Sequence, residues 1–252
     1  MTATIALPRQ PHSAWLERLR SIQLGLGARG AADVALAEGK PGAAVSGVNW
    51  REAGGATGCI AAYQPKGAAS LAASYSNLAN PGTYDATPGV APTWSGATGW
   101  FCDGSCWMST GIVPANDQTW SMIAAFANAS GMSGHTIAGS QSTDNTRFYL
   151  IPRRGAPYDN RIYGNGSNAA FGTRLTAGVM AIAGSSAYLD GSLEGTITTG
   201  WNGSALHILI GALNYMGSPN QFFVGNILAL AIYNTTLTAP QVVAVSVAMA
   251  AL

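Results

Sequence analysis

Asp190 and Glu194 are the closest-spaced acids that could share a catalytic task. The chemistry of such a pair would be glycoside hydrolysis, which needs two carboxyl groups a few ångströms apart across the scissile bond. Here they flank Gly191-Ser192-Leu193, so the expectation is a solvated turn. Nucleophilic catalysis fares no better. His12 lies near the start of the chain, His135 follows Gly134 in a loop, and His207 sits in Leu206-His-Ile-Leu-Ile210 as a strand-face or core residue. No Gly-x-Ser-x-Gly elbow occurs. No catalytic residue is therefore assigned, and the chain is expected not to be an enzyme.

Metal and phosphate chemistry are thinly provided for. Cys59, Cys102 and Cys106 form no zinc-type ligand set and are too few for a disulfide framework, so reduced, buried thiols are expected. The Cys102/Cys106 spacing could still reach across a tight hairpin. Asp117, Asp144 and Asp159 lie in loops and could offer oxygens to calcium, but the acids are too scattered to make a site. No metal or cofactor is expected, calcium being the one candidate. Gly25-Leu-Gly27 with Gly30 lacks the preceding strand and the lysine of a phosphate cradle.

Two groups of side chains remain. Arg147, Arg153, Arg154 and Arg161 are the one concentration of charge, either a solvated loop or an interface for a neighbour's carboxylates, with Arg153 and Arg154 the candidates for assembly. Trp107, Trp201, Tyr158 and Tyr215 lie near loops or strand ends, where an aromatic face could stack on a sugar ring; the competing role for each is core packing. Trp120, between Thr119 and Ser121, reads as core.

The elements that must position these residues follow from composition and pattern. Charged residues are only 9% of the 252 and hydrophobic ones 48%, with a net charge of +1. Such a chain has no field for nucleic acid or an acidic membrane, but can bury a sizeable core. The start, with Pro8-Arg9-Gln10-Pro11 after Leu7, does not resemble a signal peptide, and no apolar run reaches membrane-spanning length. Nearly half of the charged side chains fall within residues 1–52, which marks residues 1–57 as an arm. Ser13 can cap a helix there that gathers Trp15, Leu16, Leu19, Ile22 and Leu26 on one face. That face needs a partner, because a short amphipathic helix makes no core alone. Residues 58–98 are rich in Ala, Ser, Gly and Pro with recurring aromatics, which predicts an ordered, loop-rich wrap.

From residue 99 the text becomes short apolar segments between turns, as in a sandwich. Strands are predicted over 99–102, 107–111, 119–127, 136–139, 147–151, 161–163, 178–183, 186–189, 196–199, 206–211 and 222–233. Asp190-Gly191 predicts a two-residue hairpin, and the stretch 226–234, apolar on both faces, a central strand. Thr238-Ala-Pro-Gln241 opens a closing helix that runs to Leu252.

Four pieces in order carry a family likeness: Gly99-Trp-Phe-Cys-Asp-Gly104, Thr119-Trp-Ser-Met-Ile-Ala-Ala-Phe126, Ala187-Tyr-Leu-Asp-Gly191, and Phe223 to Thr238 with the helix behind it. Over residues 99–252 they resemble laminin G-like and concanavalin A-like jelly rolls. The resemblance implies an all-β fold, an antiparallel two-sheet jelly-roll sandwich with a short N-terminal helical arm and a C-terminal closing helix. Hydrolytic members of that superfamily carry Glu-x-Asp-x-Glu, which is absent here. The stretch Tyr63 to Trp100, including Ser74-Tyr-Ser-Asn-Leu-Ala-Asn-Pro-Gly82, resembles regions preceding such domains in tailed-bacteriophage structural proteins. With the low charge and the arm, this implies a non-enzymatic virion protein, made in the host cytoplasm. It would decorate the capsid or form part of the tail and assemble through Trp15, Leu16, Leu19 and Ile22 with itself and other virion proteins. The alternative is a carbohydrate-binding adhesin that recognises bacterial surface glycans.

Overall fold

In the computed structural model, which describes residues 49–114, 119–131, 135–143, 146–197 and 204–252, alternation of side chains across pleated strands sets the architecture. One sheet contains β1 (Cys59–Tyr63), β3 (Thr93–Ser95), β4 (Gly99–Asp103), β6 (Ser121–Ala127), β11 (Gly178–Ala183), β12 (Ser186–Leu189), β13 (Ser192–Thr196) and β17 (Val224–Tyr233). Its order is β13-β12-β11-β6-β17-β4-β3, with β1 pairing the second half of β17. The other contains β2 (Thr87–Val90), β5 (Trp107–Ser109), β7 (Ala138–Gln141), β8 (Arg147–Arg154), β9 (Asn160–Asn165), β10 (Ser167–Phe171), β14 (Leu209–Ile210), β15 (Leu213–Tyr215) and β16 (Ser218–Asn220). It runs β10-β9-β8-β7-β14-β5-β2, and β15, hairpinned to β16, lies parallel to β7. Every other strand pair is antiparallel, so the expected all-β, two-sheet jelly-roll sandwich is the fold.

Met122, Ala124 and Phe126 of β6 point into the space between the sheets, with Leu230 and Ile232 of β17 and Phe148 and Leu150 of β8. The intervening Ile123, Ala125, Ala229, Ala231 and Tyr233 point the other way. Their cover is helix α2 (Ala239–Ala250), through Val242, Val245 and Met249, and the short 3₁₀ turn Trp50–Gly55. The first sheet is therefore apolar on both faces, as its central strands require. The Thr238 amide donates to Gln241 Oε1 at 2.9 Å, and Gln241 Nε2 reaches Gly55 O at 2.9 Å, so the capping residues also fasten helix to turn.

Residues 58–98 supply three strands and the single helical turn α1 (Leu71–Ser74), so this segment contributes to both sheets rather than only wrapping them. Asn77, fully buried, ties it down: its Oδ1 accepts from the Ala62 and Ala79 amides, and its Nδ2 donates to Ile60 O and Thr83 O. Ser74 Oγ accepts from the indole of Trp100 at 2.7 Å. The Ser74–Gly82 stretch is thus a clamp on the sandwich.

Several expectations need correction. Cys102 and Cys106 form a disulfide, with Cα atoms 5.4 Å apart across the β4–β5 turn, and are not reduced thiols; Cys59 is free. A strand not foreseen occupies Ser192–Thr196, because the Asp190-Gly191 turn, with both residues at positive φ, pairs β13 directly back on β12; of the predicted strand 196–199, Thr196 ends β13 and Ile197 follows it, while 198 and 199 lie outside the described residues. His207 is an exposed residue before β14, not a strand-face or core one. The arm face Trp15, Leu16, Leu19 and Ile22, with His12, lies outside the described residues.

Candidate functional site

Three residues in register make the floor of a cleft on the second sheet. Tyr149 of β8 pairs with Gly139 of β7 on one side and Gly164 of β9 on the other. Both neighbours lack a side chain where the tyrosine needs room: a Cβ on Gly164 would sit 2.8 Å from the ring, and one on Gly139 2.2 Å from Tyr149 Cβ. The ring therefore lies against the sheet on the face turned away from the core, beside Ile151, Ile162 and Leu213. Burial raises the Tyr149 phenol above its ordinary pKa, partly opposed by hydrogen bonds from Asn168 and Arg147.

Two projections wall this floor. One is the β15–β16 hairpin, whose Met216-Gly217 turn has both residues at positive φ, as a tight two-residue turn demands. It carries Tyr215, 38% exposed, and is fastened by the Met216 amide to Gln141 O at 2.8 Å. The other is the β8–β9 loop, which contains a cis Ala156–Pro157 bond and carries Tyr158, 55% exposed. An ion pair of 2.7 Å between Arg174 and Asp159 holds that loop. The cleft between them measures about 730 Å³, and Gln141, Asn168, Asn220 and Gln221 add amides to its lining. His135 closes one end, its Nδ1–H donating to Phe222 O at 2.6 Å.

A β-bulge decides what charge the cleft contains. Ile151 pairs with Ile162 and Arg154 with Asn160, so β8 holds one residue more than β9 between those pairs. Paired residues share a face, hence the extra residue turns Arg154 outward. Arg154 lies in the lining with its guanidinium 3.6 Å from the centre of the Tyr158 ring. Arg147 lines the cleft from the start of the same strand.

The sequence-level candidates are thus sorted. Tyr158, Tyr215 and Arg154 meet in one cleft. Arg153, coupled with Arg154 in the sequence reading, is turned elsewhere: it donates to Leu175 O at 3.1 Å and Gly131 O at 3.3 Å, and so staples loops. Trp107, half-buried, lies outside that cleft's lining: its indole is laid on Gly89 of β2, where a Cβ would come within 2.0 Å of the ring. Trp201, Asp117 and Asp144 lie outside the described residues. Glu194 departs from the solvated-turn expectation: it forms an ion pair with Arg161 through both carboxylate oxygens, the two side chains being 12% and 9% exposed. Asp190 does stay at the surface, its carboxylate accepting from the Val179 amide at 2.8 Å. Tyr149, Asn168, Gln141 and Gln221 were missed, and only the glycines opposite Tyr149 hint at them, once register is known.

No group of three or more potential metal ligands occurs among the described residues, and no helix among them is long and apolar enough to cross a membrane. No family model and no curated protein matches the chain. Solved structures do. Domain 4 of AbnA, a GH43 extracellular arabinanase from Geobacillus stearothermophilus, in complex with arabinotriose, is 17% identical with a TM-score of 0.48, covering 75% of this chain and 98% of that one. The CBM40 of Ruminococcus gnavus IT-sialidase is 13% identical with a TM-score of 0.38, over 52% of this chain and 84% of that one. Trypanosoma rangeli sialidase is 15% identical with a TM-score of 0.48, over 74% of this chain but 32% of the sialidase. Likenesses this distant concern architecture alone and leave function to the geometry of the cleft.

Proposed function

We propose that this protein is a non-catalytic glycan-binding module that seats an oligosaccharide in the cleft between Tyr158 and Tyr215. The observation that carries this reading is the pairing of two exposed tyrosines on facing walls with a rim of amides and guanidinium groups. Sugars present alternating apolar C–H faces and hydroxyl edges. Tyrosine rings match the faces, and Gln, Asn and Arg side chains match the edges. None of the described lining residues is Asp or Glu, which supports binding over hydrolysis by a carboxylate pair.

The test is binding of full-length protein to a glycan array, followed by calorimetry on the best oligosaccharide. Tyr158→Ala and Tyr215→Ala should each weaken binding about tenfold or more without altering the melting temperature by more than a few degrees. Trp107→Ala should destabilise the fold and leave affinity unchanged. Equal affinity of wild type and both tyrosine variants would remove the cleft from consideration.

For context, we propose that the module is displayed on a tailed-bacteriophage particle, held through the part of the arm that precedes Gly47 and self-associating there. Its supports are the sequence resemblance and the low overall charge. Light scattering should find the full chain oligomeric and a chain starting at Gly47 monomeric; two monomers would refute assembly through the arm.

A further inference from the structure

The cleft is charge-selective as well as aromatic, and the geometry points to an acidic saccharide, one bearing a carboxylate, as its ligand, with Arg154 as the residue that reads the charge. This rests on the glycan-binding reading above and narrows its substrate class. Three observations lead here. First, Arg154 reaches the cleft only because β8 carries the extra residue between Ile151 and Arg154; without the bulge, Arg153 would hold that face. Second, the acid nearest in sequence is already committed, Asp159 being paired with Arg174 at 2.7 Å. No carboxylate pairs with Arg154 among the described residues, whereas Arg51, Arg161 and Arg174 each have one. Third, Arg154 is held by the Tyr158 ring at 3.6 Å, a contact that fixes the guanidinium plane and leaves its edge of N–H donors available.

Planar donors of this kind match a carboxylate in geometry as well as charge, and a charge-assisted hydrogen bond exceeds one to a neutral hydroxyl. A neutral sugar could use the tyrosine walls and the amides equally well, but would leave the guanidinium partly desolvated and unpaired. The site therefore divides into two contributions: aromatic walls that bind any suitable pyranose, and Arg154, which shares the lining with Arg147 and is the one of the two held on the Tyr158 wall, to discriminate by charge.

The experiment uses the full-length protein and an array of bacterial polysaccharide fragments in which each uronate-bearing fragment stands beside its own methyl ester. Esterification removes the charge and little else. Uronate fragments should bind about tenfold better than their esters, the size of one charge-assisted hydrogen bond, and the preference should shrink as salt rises. Arg154→Gln should abolish the preference while retaining binding of the esters, and Arg154→Lys should restore part of it. Acid and ester bound equally by wild type, or a preference that survives Arg154→Gln, would overturn the charge assignment yet leave glycan binding standing. Absence of binding to every fragment, charged or neutral, would overturn both.

Discussion

Arg161 and Glu194 join the two sheets at one edge of the sandwich, and little about either residue type foretells it. Arg161 on β9 meets both oxygens of Glu194 on β13 and donates a further hydrogen bond to Thr173 O at 2.7 Å. Tyr163, fully buried, adds its hydroxyl to Glu194 at 2.6 Å, and burial, with the carboxylate beside it, raises its phenol well above the usual range. Removing one member of a buried pair strands the other charge, which costs about 3–5 kcal/mol, whereas replacing both by apolar residues of similar volume is often neutral. Glu194→Ala should therefore lower the melting temperature by about 10 °C. The double variant Arg161→Met, Glu194→Leu should recover most of that loss. Calorimetry on the two proteins decides it, and a double variant no better than Glu194→Ala would show that the pair stabilises in its own right.

Among the elements, legibility tracked hydrophobic pattern and turn chemistry. The predicted segments 178–183 and 186–189 coincide with β11 and β12, and Asp190-Gly191 turns where it should, because the left-handed φ of such a turn suits these residues. The central place of β17 was readable from its two apolar faces, which the sandwich core and helix α2 in fact cover. Besides β13, six strands were not foreseen, four of them for two physical reasons. β2 and β16 contain Pro88 and Pro219 and lie at sheet margins, where a missing amide is tolerated. β1 and β10 are built largely of small residues that give no clear alternation, and the place of β1 depends on a partner far along the chain, as Ala62 opposite Ala231 shows. The site was less legible still. Tyr158, Tyr215 and Arg154 could be picked out singly, but their convergence depends on a bulge in β8 and on the β15–β16 hairpin lying beside β7, neither of which leaves a local signature.

At the scale of the whole molecule, the same small, uncharged composition that hides these strands places titratable groups in apolar surroundings. Burial pushes the Cys59 thiol up to about 12, against an opposing pull from the Arg51 charge, and raises the phenols of Tyr63 and Tyr233 still further. In the unfolded chain these groups release their protons near pH 8.5 for cysteine and 10 for tyrosine. Above pH ~8.5 the unfolded state therefore binds fewer protons than the folded one, and stability falls as pH rises. The contribution of Cys59 is fully present below pH ~8.5 and is lost as pH climbs towards 12. The tyrosines begin to add their share near pH 10. Urea midpoints should accordingly be insensitive to these groups between pH 6 and 8 and fall from about pH 8.5 onward, the unfolding free energy dropping by no more than about 1.4 kcal/mol per pH unit for each group. Cys59→Ala should delay the onset to about pH 10, leaving only the tyrosines. A midpoint that holds to pH 10 in the wild type, or an onset unchanged in the variant, would mean that Cys59 ionises within the folded sheet at little cost, and that the contact of β1 with β17 admits water.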